Sequence, residues 1–186
     1  MFSAHTYTQR RNALRQKMNS GLLLFLGNEE SPMNYTDNTY HFRQDSNFLY
    51  FFGIDKTGMA AIIDLDNDTT TLFGDDLSVD HIVWTGPQPS MRELADGIGV
   101  ATTAPFAELT NVLRTATEAN RSIHYLPPYR DNNSIRLSNW LGQPLATVAQ
   151  GASAELVEAV IALRAYKTDE EIAEMEKALA TTAEMH

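Results

Sequence analysis

The segment Met59–Phe73 constrains the fold more than any other. Met59–Leu65, apolar but for Asp64, and Thr69–Phe73, rich in threonine, lie on either side of Asp66-Asn67-Asp68. Those turn residues tolerate left-handed backbone, so the pattern predicts an antiparallel hairpin. Elsewhere the chain alternates helix-like and strand-like segments, as expected of a sheet with helices packed on its faces. A hairpin within such an alternation rules out an all-parallel sheet. The expected class is therefore α/β, a mixed β-sheet flanked by helices.

The remaining segments fill in that outline. Thr8–Asn19 reads as a helix with a narrow stripe of Ala13, Leu14 and Met18, and Arg10, Arg11, Arg15 and Lys17 around it. Ser20-Gly21 ends it, and Leu22–Leu26 follows as a buried strand. Residues 27–32 form a turn-rich loop, and Phe48–Ile54, dense in aromatics, reads as a strand ending at Gly53. Ser90 and Glu93 have capping-box spacing for a short helix to Asp96. Pro105 suits the first turn of a helix running to about Ala119. Ile123–Leu126 reads as a strand, Ser134–Trp140 as a helix and Leu145–Ala149 as a strand.

The carboxyl end carries two more helix starts. Ser153 caps a helix through Arg164, and Thr168 with Glu171 makes a second capping box. Beyond it Ile172, Met175, Leu179, Thr182 or Ala183, and His186 share one helical face. No Gly, Asn or Pro stops this helix, which is the expectation for a chain cut from something longer.

Charge and composition exclude several functions. With 14 Lys and Arg against 24 Asp and Glu the net charge is −10, which disfavours a phosphate-backbone partner. There are no cysteines, hence no disulfide, thiol nucleophile or cysteine-ligated zinc. The longest apolar run, Leu22–Leu26, is far shorter than the ~18 residues of a membrane span. The start Met1-Phe2-Ser3-Ala4-His5 opens no secretion signal. The expectation is a soluble cytoplasmic domain without nucleic-acid or membrane partners.

No complete active site emerges from residue chemistry. Asp75, Asp76, Asp80 and His81 lie within seven positions and could hold a hard divalent cation, but their spacing fits no calcium loop. A solvated loop between strands explains them as well. His5, His41, His124 and His186 are scattered, without the i, i+4 spacing of a helical metal pair. Ser46 lacks the glycines of a nucleophile elbow. Gly97-Ile98-Gly99 is no phosphate loop. Trp84 heads a Gly/Pro-rich loop, where it is either core or an aromatic surface offered to a partner or ligand.

Two stretches carry a resemblance. Asp37–Gly53, read as Asp-Asn-Thr-Tyr-His-Phe-Arg-Gln-Asp-Ser-Asn-Phe-Leu-Tyr-Phe-Phe-Gly, closely resembles the signature of the amino-terminal domain of aminopeptidase P. That family comprises the Xaa-Pro aminopeptidases, relatives of prolidase and creatinase. Leu163–Ile172 resembles the family's hinge into its catalytic domain, where an Arg and a Lys-(Ser/Thr) precede Glu-Glu-Ile and a long helix. Arg10-Arg11 with Leu14, and Trp84-Thr85-Gly86, match weaker landmarks in the same order.

The resemblance implies a ribonuclease H-like mixed sheet, without importing nuclease chemistry. It implies that residues 1–164 are the amino-terminal domain and 165–186 a linker and first helix leading into a missing carboxy-terminal pita-bread catalytic domain. Family enzymes remove the first residue from peptides with proline second. They use two manganese ions, or similar divalent metals, held by two Asp, one His and two Glu of that second domain. On this basis no residue here is catalytic or a metal ligand. Arg43, Gln44, Asp45, Ser46, Phe48 and Gly53 are structural, with Arg43 pairing a carboxylate and the amide and hydroxyl satisfying turn backbone. By position Trp84 and Asp37 would serve substrate access. The Pro87-Gln88-Pro89 that follows Gly86 departs from the basic residues of several members.

The first reading is thus a non-catalytic domain serving oligomerisation and substrate access, its partners its own catalytic domain, further copies of itself and the parent enzyme's peptide substrate. Its rival is a stand-alone peptide- or protein-binding module that has lost the catalytic half. A metal-dependent nuclease built on Asp75, Asp76 and Asp80 is a third reading, opposed by the charge.

Overall fold

Leu22–Leu26 becomes a strand (β1) at the heart of a five-stranded sheet. The computed structural model describes residues 2–78 and 83–185. The hairpin forms as its sequence requires, with Ala60–Asp64 (β4) antiparallel to Thr69–Phe73 (β5) and Asp68 in left-handed backbone at the turn. Strand β4 also pairs antiparallel with β1, Leu24 opposite Ile62. Short strands complete the edges in parallel: Thr102–Ala104 (β6) beside β5, and Ile123–Tyr125 (β7) beside β1. The order is β6-β5-β4-β1-β7, a mixed sheet. A separate small hairpin pairs Pro32–Tyr35 (β2) with Asn38–Thr39 (β3).

Strand alternation divides the core between the two faces of the sheet. Leu23, Phe25, Ala61, Ile63 and Leu72 pack with one group of helices: Ala4–Arg15 (α1), Ser46–Phe52 (α2), Met91–Gly97 (α3) and Ala154–Arg164 (α7). Leu22, Leu24, Ala60, Ile62 and Phe73 pack on the other with Glu108–Glu118 (α4), Asp131–Leu141 (α5) and Leu145–Val148 (α6). The last helix is Asp169–Glu184 (α8).

Three expectations about local structure are corrected. The aromatic run Phe48–Ile54 is not a strand but lies largely in α2. The Asp45 carboxylate accepts from the backbone N–H of Asn47 and Phe48, each at 2.8 Å, and so starts a helix. Phe48, Phe51 and Phe52, at i, i+3 and i+4, are then the buried face. The apolar run at Leu145–Ala149 is a helical turn that buries Val148, rather than a strand. Helix α1 starts a turn earlier than its apolar stripe suggests, because the Ser3 hydroxyl accepts from Thr6 N–H. Both capping boxes form as their spacing predicts, at Ser90 with Glu93 and at Thr168 with Glu171.

Candidate functional site

The signature Arg43–Gly53 wraps the end of β1 and the start of α2. Gln44 is buried and ties three segments together. Its Oε1 accepts from Asn28 N–H at 2.6 Å, and its Nε2 donates to the Lys56 carbonyl at 2.7 Å. Asp45 caps α2 and Phe48 is wholly buried. Gly53 ends α2 in left-handed backbone, with φ of 66°. A Cβ there would lie 2.1 Å from Tyr7 Cζ. The glycine is therefore needed twice, for its backbone and for the closeness of α1. Ser46 is exposed. Arg43 differs from expectation: its side chain is exposed, and no carboxylate pairs with it among the described residues.

The arginines that matter lie on α1. Arg11 is buried without a carboxylate and donates instead to the carbonyls of Phe51, Ile98 and Gly99 at 2.9, 2.7 and 3.2 Å. Burial, with Arg15 nearby, lowers its pKa to about 10, so it stays charged at neutral pH. Arg10 donates to the Tyr50 carbonyl at 2.9 Å, and its guanidinium lies 4.6 Å from the Phe2 ring and 4.2 Å from that of Tyr50. Its Nη2 also approaches Glu171 Oε1 to 3.2 Å, an ion pair without an aligned hydrogen bond. Residue spacing marked these arginines only as the polar side of a helix. Their burial is decided by the aromatics of α2.

The same corner holds the exit of α7. Tyr50 Oη donates to the Leu163 carbonyl at 3.0 Å, and burial raises the pKa of that hydroxyl, keeping it a donor. Arg164 donates to Asn47 Oδ1. Beyond the hinge Thr6 Oγ1 donates to Glu170 Oε2 at 2.9 Å. Ile172, Met175 and Leu179 are exposed.

The two residues expected at substrate access are both on the surface. Trp84 is 88% exposed, which rules out the core reading. Asp37 lies at the tip of the β2–β3 hairpin and is exposed. No direct contact joins them among the described residues. Met33, Tyr35 and Tyr40 on or beside the hairpin, and Tyr129 near it, are exposed as well. The hairpin went unread in the sequence because neither strand buries a face.

The acidic cluster has mundane duties. Asp76 Oδ1 accepts from Met91 N–H at 2.6 Å and Asp75 Oδ1 from Phe106 N–H at 3.2 Å. Asp80 and His81 lie outside the described residues. Among the described residues no three His, Asp or Glu side chains converge to hold a metal ion. The described residues therefore do not fit a two-manganese centre.

Residues 7–125 match the family model of the aminopeptidase P N-terminal domain. The chain belongs to that family. As an aminopeptidase P N-terminal domain it is 30% identical over 92 residues to human "Xaa-Pro dipeptidase", covering 50% of this chain and 19% of that protein. It is 28% identical over 96 residues to a probable Xaa-Pro aminopeptidase of Penicillium rubens, covering 51% and 19%. The chain thus spans about a fifth of the length of these relatives. Aminopeptidase P from E. coli, in its low-pH form, superposes with a TM-score of 0.74 at 20% identity. That match covers 93% of this chain and 41% of the other and establishes the fold. The matched relatives are Xaa-Pro peptidases by name, and the signature residues of this aminopeptidase P N-terminal domain are those that cap α2 and seat it on α1.

Proposed function

We propose that this chain is the non-catalytic amino-terminal domain of a cytoplasmic Xaa-Pro aminopeptidase and serves its assembly and substrate access. In this reading residues 1–164 are the domain, and 165–186 are a linker and the first helix of a pita-bread catalytic domain. That second domain would supply the ligands for two manganese ions, or similar divalent metals, which activate a bridging water. The parent protein would act as an oligomer on peptides with proline second. Trp84 and Asp37 would narrow access to the catalytic cleft.

The observation that carries the reading is the family match, together with the small share of each relative that the chain spans. The access role requires an accessible Trp84 side chain, and the indole is exposed. The absence of a transmembrane-length apolar helix among the described residues agrees with this reading without fixing a compartment.

The test compares two purified proteins with manganese: the 186-residue chain and the product of the complete gene. Release of the first residue from an Xaa-Pro peptide is expected only from the longer protein. Specific binding of peptides by the short chain, with no activity from the gene product, would instead favour a stand-alone binding module.

A further inference from the structure

Helix α8 has no buried residue. Apolar packing therefore does not decide the direction in which it leaves the domain. The polar contacts found between it and the sheet domain, among the described residues, come from its first turn. Thr6 Oγ1 donates to Glu170 Oε2, and Arg10 pairs with Glu171. Thr6 and Arg10 are four apart on α1 and so present one face, spaced by one turn, to two adjacent carboxylates.

Both partners are themselves held. Arg10 is 7% exposed, tied to the Tyr50 carbonyl and stacked near two rings, so it has little freedom to follow a moving carboxylate. Glu171 is 15% exposed, and its Oε2 closes the capping box by accepting from Thr168 N–H at 2.9 Å. On the other side of the hinge, Leu163 and Arg164 are tied to α2 through Tyr50 and Asn47. A joint of three residues, 165–167, is thus pinned at both ends.

We propose that Thr6 and Arg10 are positioning residues that set the angle at which α8 departs from the sheet domain. A buried ion pair adds little net stability, since desolvation offsets the Coulomb attraction. What it supplies is selection of one geometry, because any other leaves a charge buried without its partner. The consequence for catalysis, the placement of a domain carried by α8, rests on the function proposed above. The angle does not.

The absence of cysteine allows a clean test in the 186-residue chain. Spin labels are placed by Thr115→Cys on α4 and Ala180→Cys on α8, both exposed positions, and the distance between them is measured by pulsed electron paramagnetic resonance. The parent should give one narrow distance. Glu170→Ala with Glu171→Gln removes the Thr6 contact and the ion pair while keeping a residue that completes a capping box. It should replace the single peak by a broad distribution, with a lower melting temperature because Arg10 is left buried without a countercharge. Arg10→Met, which keeps an apolar stem between the rings, should broaden the distribution in the same way. A narrow peak that persists in the glutamate variant overturns the proposal, whatever the longer protein catalyses. Both variants are measured well below their melting temperatures, so the distance distribution reads the direction of α8 in the folded domain.

Discussion

Arg10 and Glu171 stand 161 positions apart in sequence and 3.2 Å apart in space, the guanidinium from the first helix and the carboxylate from the first turn of the last. Their pairing closes the domain on itself. It brings the start of α8 to the corner where α1 and α2 meet, the corner built by the family signature. Asp45, Phe48 and Gly53 of the signature assemble that corner.

The cap of α2 should be measurable. Asp45→Ala leaves the N–H groups of Asn47 and Phe48 without their acceptor. It is expected to cost about 1 kcal/mol in urea unfolding, with Asp45→Asn largely retaining the stability.

Gly53→Ala should be far more damaging. It places a methyl group against the Tyr7 ring and forces a side chain into left-handed backbone. A loss of roughly 3 kcal/mol or more is expected. Truncating the ring in Gly53→Ala/Tyr7→Ala should relieve the clash component, which a double-mutant cycle in denaturant would read as coupling.

These two positions also show what the sequence could and could not disclose. The hairpin at β4–β5 was legible because its turn chemistry is local, and the two capping boxes because their spacing is. The run Phe48–Phe52 was misread because aromatic residues favour strands on average. The N-cap at Asp45 and the burial of Phe48, Phe51 and Phe52 against α1 and β1 override that preference. The helical spacing of those phenylalanines was present, but a seven-residue segment is too short for periodicity to decide. At the hinge the capping box was visible, whereas the hold of Arg10 on Glu171 was not, since no pattern along a chain pairs residues so distant. Trp84 stood undecided between core and surface, for only the tertiary fold says whether an indole finds cover.

Acid should weaken the β4–β5 turn through Asp64 and Asp66. Burial alone would raise the Asp64 carboxyl, but hydrogen bonds from Arg121 and Asn67 together hold it below its ordinary value. At Asp66 the Gly21 N–H, then Arg121, do the same. A carboxyl depressed in the folded state stabilises above its unfolded pKa, near 3.9, and that contribution is lost as pH falls through the folded value. Melting temperature should therefore fall below about pH 4, and more gently in Arg121→Met. Parallel curves for the two proteins would refute the assignment.

If the chain is the front of an Xaa-Pro aminopeptidase as proposed, Trp84→Ala in that complete protein should lower turnover on longer peptides while metal content stays unchanged. The indole is too exposed to support the core, so the melting temperature should not move. Unaltered kinetics on long and short peptides alike would remove Trp84 from the access route.

The most direct measurement is to read the gene beyond the codon for His186. An open frame of roughly a further domain or more is expected there, carrying Asp, Asp, His, Glu and Glu in that order as ligands for two metal ions. A stop codon at that point would contradict the proposed function and leave a member of the aminopeptidase P N-terminal domain family without a peptidase to serve.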